Sequence, residues 1–324
     1  MSEPRVYIVV LNWNGSSDTA ACVQSALQLD HPNYVVLVCD NDSRPDDLAA
    51  LRTWGAGLPQ GLPEAGPGQW HKLPDLAHRQ VMLLHTGANL GFAGGVNVGL
   101  RFALLQGDAD FAWVLNNDSE VHPGALSALL RRAVQDLRIG LCGSTLVYHG
   151  RRNMVQALGG ASYEPWRGRS RALGAFSAPE AAPANPAEIE ARMDYVVGAS
   201  MLVSRRFLDT VGVMDDRYFL YSEEHDWAHR GQQQGFALGW APDSLVFHKH
   251  GATIGSSSQG GSPLSLFYLF RAKAMFSGRH YPLRTPVVLC SLALDALKFL
   301  VKGSPARALA ALRGLLAFPT GARY

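Results

Sequence analysis

Three polar clusters in this chain carry groups that can do chemistry. Asn116-Asn117-Asp118 closes the apolar run Phe111 to Leu115. Glu223-Glu224-His225-Asp226 sets three carboxylates within four residues. His248-Lys249-His250 follows the apolar stretch Leu245 to Phe247. A carboxylate beside a bound diphosphate suits a hard cation, Mg2+ or Mn2+, with phosphate oxygens completing its shell, so Asp118 is a candidate metal ligand. A turn with a helix cap is the alternative use of such Asx residues. A carboxylate of the second cluster can take the proton of a hydroxyl nucleophile. The same three charges also complement a helix dipole, which is a purely structural use. His248 and His250, two apart on an extended chain, share a side, where one of them can ligate a metal or both simply face solvent.

The elements that must position these clusters follow from hydrophobic pattern. VYIVVLN, residues 6 to 12, is an apolar β-branched run without alternation, as a strand buried on both faces requires. Asn12-Trp13-Asn14-Gly15 ends it. Ser16 to Asp18 then cap a helix over 19 to 29, with Ala20, Cys22, Val23, Ala26 and Leu27 on its apolar face. A second strand at 34 to 39 ends at Asp40-Asn41-Asp42-Ser43, which completes a βαβ unit of a parallel sheet. Residues 46 to 54 read as a helix and 55 to 74 as an irregular Gly/Pro-rich loop. A short strand at 81 to 84 leads into Asn89-Leu-Gly-Phe-Ala-Gly-Gly-Val-Asn97 and a helix to about 105. Its glycines let backbone approach a flat ligand and its helix start offers N–H groups to an anion, or else they serve tight packing.

Asp118 stands beyond the carboxyl end of the strand 111 to 115, where open α/β sheets bind their ligands. A helix over 124 to 136 and a strand over 140 to 148 follow. Residues 150 to 190 lack periodicity and read as a long loop or mobile flap. DYVVGASMLV, 194 to 203, reads as one strand, with Gly198-Ala199-Ser200 small where something must come close. The carboxylate cluster opens a helix to about 234. Residues 264 to 276 and 286 to 316 read as helices with long apolar faces, punctuated by Arg271, Lys273, Arg279, Arg284, Lys298, Lys302, Arg307, Arg313 and Arg323, with Asp295 the acidic exception. Such helices bind a membrane surface or pack against a partner. The apolar tail also leaves pairing of two chains open.

With 324 residues, 47% of them hydrophobic, the chain can bury a core of one large or two small domains. A net charge of +2 gives no argument for nucleic acid. Cys22, Cys39, Cys142 and Cys290 are far apart, as suits free thiols in a reducing compartment. Residues 2 to 5 lead straight into a strand and no run of 18 apolar residues occurs, so neither a leader nor a spanning helix is expected.

Taken together, VVLNWNG, CDNDS, NLGFAGGVNVGL, LNND, VVGASMLV, YFLYSEEHDWAHRGQQQG and FHKHG resemble, in order and spacing, an inverting family 2 glycosyltransferase of the GT-A fold, most like its bacterial rhamnosyltransferase-like branch. The resemblance implies an α/β fold with a mostly parallel central sheet. It implies a glycosyltransferase domain over 1–262, with a nucleotide-sugar half to about 123 and an acceptor half beyond, followed by a helical extension over 263–324. It implies a nucleotide diphosphate sugar as donor, rhamnose among the candidates, and a glycan or glycolipid acceptor in cell-surface polysaccharide synthesis. The expected place is the cytoplasm or the inner face of the membrane. Asn12, Asn14 and Asp40 then hold base and ribose, and Asn89, Gly91, Phe92 and Asn97 close over the nucleotide. Asn116-Asn117-Asp118 stands at the family's DxD motif with Asn in place of the first Asp, and Asp118 and His248 hold the metal. Glu223-Glu224-His225-Asp226 resembles the ED-x-D motif. Glu224 stands where Asp is common, so the base lies between Glu223 and Glu224. Gly198 and Ala199 sit beneath the sugar or acceptor.

Two other enzymes and a non-enzyme compete with this reading. A sugar-1-phosphate nucleotidylyltransferase wants a basic Gly-rich loop after the first strand, and Asn12 to Ser17 has no Lys or Arg. A dehydrogenase wants its glycines in the first βα turn. A non-catalytic sugar-nucleotide-binding subunit would tolerate Asn116 but has no need of Glu223, Glu224, Asp226 and His248.

Overall fold

The computed structural model of the chain describes residues 3–71, 76, 78–249 and 261–318. The first strand, β1 (Val6–Asn12), is buried along nearly its whole length because strands flank it on both sides and helices cover both faces. The helix α1 (Ser16–Ala26) crosses to β2 (Tyr34–Asp40), and α2 (Pro45–Gly55) with the short β3 (Glu64–Ala65) leads to β4 (Val81–His85). The glycine-rich helix α3 (Gly91–Gln106) then crosses to β5 (Phe111–Asn116), parallel to β1 on its other side. Register matters more here than order. Asn12 is level with Asp40, and Leu11 with Asn116, so three polar strand ends fall on one edge of the sheet.

After a two-residue turn at Asn117 and Asp118, β6 (Ser119–Val121) starts a second half with α4 (Ala125–Gln135), β7 (Ile139–Tyr148) and β8 (Arg151–Leu158). Next come β9 (Gly160–Glu164), β10 (Arg169–Ala172), α5 (Ala187–Glu190), β11 (Tyr195–Val196) and β12 (Ser200–Ser204). The order continues through α6 (Arg205–Val211), α7 (Glu223–Gln233) and β13 (Ala237–His248). The main sheet runs β3-β4-β2-β1-β5-β12-β7-β13-β6, with β8 beside β7, and a small sheet runs β10-β9-β11. The strands from β3 to β5 are parallel; β12 is antiparallel to both neighbours, and β13 is parallel to β7. Side chains alternate between two cores. Val9, Leu37 and Val114 face α3 through Val96 and Leu100, whereas Ile8, Val36 and Trp113 join Cys22 and Val23 of α1 and Leu126 and Leu129 of α4.

The chain closes with α8 (Pro263–His280), α9 (Thr285–Val301) and α10 (Pro305–Ala317). Gly314 lets α10 lie against α8, since a Cβ there would stand 2.2 Å from the Phe267 carbonyl oxygen.

Several expectations need correction. The stretch 150 to 190 is not a loop. Up to Ala172 it forms strands: β8 pairs with β7, and β9 pairs with both β10 and β11. The expected single strand 194 to 203 divides, because β11 joins the small sheet and β12 the main one. The strand expected at 245 to 247 is the end of the twelve-residue β13. Residues 286 to 316 form two helices, broken where Gly303 takes φ +69°. Cys22, Cys39 and Cys142 are free and buried, and burial pushes the first two thiols up to about 12, but Cys290 is exposed.

Candidate active site

At the sheet edge, β6 explains how residues 130 positions apart in sequence meet. It pairs with the end of β13, setting His248 opposite Ser119, and the Lys249 N–H donates to the Asp118 carbonyl at 3.0 Å. His248 Nε2 then lies 2.9 Å from Asp118 Oδ1 and 3.3 Å from Asn116 Nδ2. Both Asp118 and His248 are buried. The other ring nitrogen, Nδ1, is 2.7 Å from Gln156 Oε1, a contact that fixes the orientation of the ring. One carboxylate and one imidazole with its orientation fixed fit a divalent cation. Among the described residues no three His, Cys, Asp or Glu side chains gather as a complete cage, so phosphate oxygens and water must supply the rest. His250 lies outside the described residues.

The neighbouring strand ends are tied into one polar rail. Asn117 Nδ2 donates to Thr19 Oγ1 at 3.0 Å, and Thr19 donates to Asn12 Oδ1 at 2.7 Å. Asn12 Nδ2 lies within 3.0 to 3.2 Å of Asp40 Oδ1, Ser43 Oγ and Asp47 Oδ2. Asn12 is fully buried, and its amide is occupied in holding the edge together rather than in facing a base. Asn14, in a left-handed turn at φ +53°, accepts from the Arg44 N–H at 2.8 Å. Burial pushes the Asp40 carboxyl up, but hydrogen bonds from His85, Ser43 and Asn12 outweigh it and hold the group below the ordinary carboxylate range. Thr19, Ser43 and Asp47 were not anticipated. The one signal was Thr19, a polar residue a turn before Cys22 and Val23 on the buried face of α1.

The glycine-rich loop divides into two uses. Asn41, also unanticipated, accepts from the Leu90 N–H at 2.9 Å and donates to Asn89 Oδ1 at 3.1 Å, which pins the loop above β2. Gly91 takes φ +74°, and a Cβ there would meet the Phe219 carbonyl oxygen at 2.1 Å. Phe92 donates its N–H to that same oxygen at 2.6 Å. Gly95 and Gly99 serve packing, since a Cβ would stand 2.3 Å from Leu11 and 2.6 Å from Val9. Asn97 corrects an expectation. It is fully buried, with both amide atoms on the backbone of Met214 at 2.8 and 3.0 Å, so it ties α3 to the segment before the carboxylates and does not reach a nucleotide.

That segment is strained. Phe219, Tyr221 and Ser222 all take positive φ, at 34°, 69° and 65°, immediately before Glu223. Helix α8 holds it there. Phe219 stacks on Tyr268 at 4.5 Å and Tyr221 shares a 2.7 Å hydrogen bond with Ser265. Glu223 and Glu224 follow side by side. Burial, and for Glu223 the neighbouring charge, raise both above the ordinary range, Glu223 further. Burial and their mutual repulsion disfavour ionising both carboxyl groups at once. Each keeps one buried carboxyl oxygen, Oε2, without a protein partner. Gly198 faces this pair, as a Cβ on it would meet Phe92 at 3.7 Å and Glu224 Cβ at 3.9 Å.

Asp226 does not join them. It is fully buried, 2.7 Å from His280 Nε2 and 2.8 Å from Arg230 Nε. Burial pushes its carboxyl up, and these partners more than reverse the shift. It therefore fastens α7 to α8. His225 sits between Phe276 at 3.8 Å and Tyr195 at 4.6 Å, and burial lowers it to about 3, so it is a neutral aromatic wall. The metal edge and the carboxylate pair are joined through the break between β11 and β12. The Asn116 N–H donates to the Ala199 carbonyl at 3.0 Å, one residue from Gly198.

Comparison with known proteins gives the same picture at larger scale. The family model "Glycosyltransferase like family 2" matches residues 4–259. An N-acetylglucosaminyl-diphospho-decaprenol L-rhamnosyltransferase of Mycobacterium tuberculosis is 29% identical over 191 residues, 54% of this chain and 61% of the relative. A low-salt glycan biosynthesis hexosyltransferase of Haloferax volcanii is 22% identical over half of each chain. The chain thus spans between half and about three fifths of the curated relatives it matches. Among solved structures, a mannosyltransferase from Pyrobaculum calidifontis in complex with GDP-Man and Mn2+ superposes with a TM-score of 0.56 at 13% identity, covering 98% of this chain and 88% of that one. GalNAc-T7 with UDP, GalNAc and Mn2+ gives 0.63 at 13% identity, covering 98% and 56%. These structures establish the GT-A fold. The match over 4–259, with its strand-end carboxylates in place, makes the chain a member of glycosyltransferase family 2.

Proposed function

We propose that the chain moves a hexosyl unit, rhamnose first among the candidates, from a nucleoside diphosphate sugar to a hydroxyl of a lipid-diphosphate-linked glycan, with inversion at the anomeric carbon. The carrying observation is the junction at Ala199 and Gly198, which sets a buried Asp118–His248 pair and the pair of buried Glu223 and half-buried Glu224 on either side of one small-residue floor. The mycobacterial relative's name, a rhamnosyltransferase acting on a diphospho-decaprenol, supports the donor and acceptor classes.

In this reading Glu224, which stands beside Gly198, accepts the acceptor hydroxyl proton at its free Oε2. The new glycosidic bond forms as the bond to the nucleoside diphosphate breaks, and the diphosphate leaves with the electron pair. One base suffices because no covalent sugar–enzyme species intervenes, unlike the carboxylate pair of a retaining hydrolase. A divalent cation, Mg2+ or Mn2+, held by Asp118 and His248, supplies charge neutralisation for the departing diphosphate. Asp40 and Asn14 face the ribose and base, with Asn12 and Thr19 fixing the edge behind them. Asn89, Gly91 and Phe92 form the loop over the donor.

The test is transfer itself. The purified protein, Mn2+ or Mg2+, UDP-, dTDP- and GDP-sugars and an N-acetylglucosaminyl-diphospho-polyprenol would be combined and the product linkage read by NMR. One donor giving a product of opposite anomeric configuration is expected. A retained configuration would contradict the single displacement.

A further inference from the structure

The carboxyl-terminal helices present a feature that transfer chemistry does not use. Helix α9 is apolar on two faces. Val288, Leu292 and Ala296 are buried against α8 and α10. The outer side carries Val287, Cys290, Leu294, Leu297 and Val301, all exposed, in a continuous three-four-three-four spacing. Leu294 is 61% and Val301 90% exposed, and Leu283, just before the helix, is 94% exposed. A helix hydrophobic all round is ordinarily buried, so this stripe wants a cover. Among the described residues no helix is long and apolar enough to cross a membrane.

We propose that α9 lies in the headgroup region of an anionic lipid bilayer, with the outer stripe immersed. Charge decides for this occupant. Between 281 and 318 stand Arg284, Lys298, Lys302, Arg307 and Arg313 against Asp295 alone, and Asp295 is already paired with Arg169 and Lys298. Lys302 and Arg313 are exposed. Anionic headgroups complement that surface, while a two-fold pairing of copies brings like charges together. Five side chains of one helix also fall short of the roughly 20 residues per partner of a stable protein interface. At the start of the helix, Trp166 is exposed with the Arg284 guanidinium 4.9 Å from its ring, an amphipathic pair suited to the lipid–water boundary. From there the small sheet leads inward. Tyr163 of β9 meets His225 edge-on at 4.3 Å, next in sequence to Glu224. The inference stands on the stripe and its charges and does not require the acceptor to be a lipid.

Full-length protein would be sedimented with vesicles of phosphatidylcholine alone and of equal parts phosphatidylcholine and phosphatidylglycerol, with its mass in solution read by light scattering. A monomer that binds the anionic vesicles and not the neutral ones is expected. Leu294→Glu with Leu297→Glu, both at solvent positions, should weaken that binding at least about tenfold, and Lys302→Glu should weaken it about fivefold or more. Transfer to a water-soluble acceptor should be unchanged in these variants. Equal binding to neutral vesicles would overturn the charge argument. A stable dimer that the double substitution dissociates, without vesicle binding, would assign the stripe to a second copy instead.

Discussion

Glu223 and Glu224 are adjacent and both raised above the ordinary carboxylate value of 4.5, yet they are not equivalent. A base must reach its substrate, and Glu224 is half-buried beside Gly198 whereas Glu223 is buried. Glu224→Gln should therefore lower kcat by about 10^2- to 10^4-fold while leaving donor affinity unchanged, since general-base catalysis typically contributes that much. Glu223→Gln, which keeps a donor toward Glu224, should cost far less, and the reverse ranking would move the base by one position. The sign of the pH dependence follows from the raised value. Activity is present above the folded pKa of the base and lost as pH falls through it, so the acidic limb of the kcat/KM profile lies above 4.5. A limb at or below 4.5 would remove Glu224 from the role. The same scale shows what residue type does and does not reveal. Asp118 and His248 stand out in the sequence as polar residues at the ends of apolar strands, and the structure brings them together. The use of Asn12 and Asn97 was not legible, because an amide serves a ligand and a backbone equally well. Only the Asp40 and Met214 contacts show which use each serves.

Elements bring these residues together by non-local pairing, and that is where local pattern failed. β6 is three residues long, too short for periodicity to register, yet it carries His248 to Asp118. The Arg- and Gly-rich stretch after Tyr148 lacks apolar alternation because its strands β8, β9 and β10 carry exposed polar residues, and they are held by pairing with β7, with β11 and with each other. By contrast β1, α1, β2 and β5 are contiguous apolar patterns and were readable with ends off by a few residues. The helix α8, read as the start of an appended extension, is the buttress of the turn before Glu223. It meets Phe219 and Tyr221 where the backbone is strained and grips Asp226 through His280. Asp226 is lowered on folding, so its contribution is present above the ordinary value of 3.8 and lost as pH falls through the lower folded value. Asp226→Asn should lower stability by about 3 kcal/mol, as when one partner of a buried pair is removed. Urea unfolding would read this. Folded Asp226→Asn protein, assayed below its melting range, should retain transfer. Complete loss there, with Glu224→Gln active, would make Asp226 the base.

At the scale of the molecule, the parallel half of the sheet carries the Asp118 edge, the second half carries the Glu223–Glu224 pair, and a floor of Gly198 and Ala199 joins them. The order of motifs along the chain made this architecture legible. The junction itself was not, because it depends on β11 and β12 parting into different sheets. The account stands or falls on whether the Asp118–His248 edge holds a donor through a cation. The most direct measurement is calorimetric titration of UDP-, dTDP- and GDP-sugars into the wild-type protein and Asp118→Ala, each with and without Mn2+. One nucleotide sugar should bind the wild type only with the metal, and the variant should remain folded yet lose at least about tenfold in affinity, as metal sites deprived of a ligand or its support do. Equal binding by Asp118→Ala, or binding indifferent to the metal, would contradict the assignment of this edge.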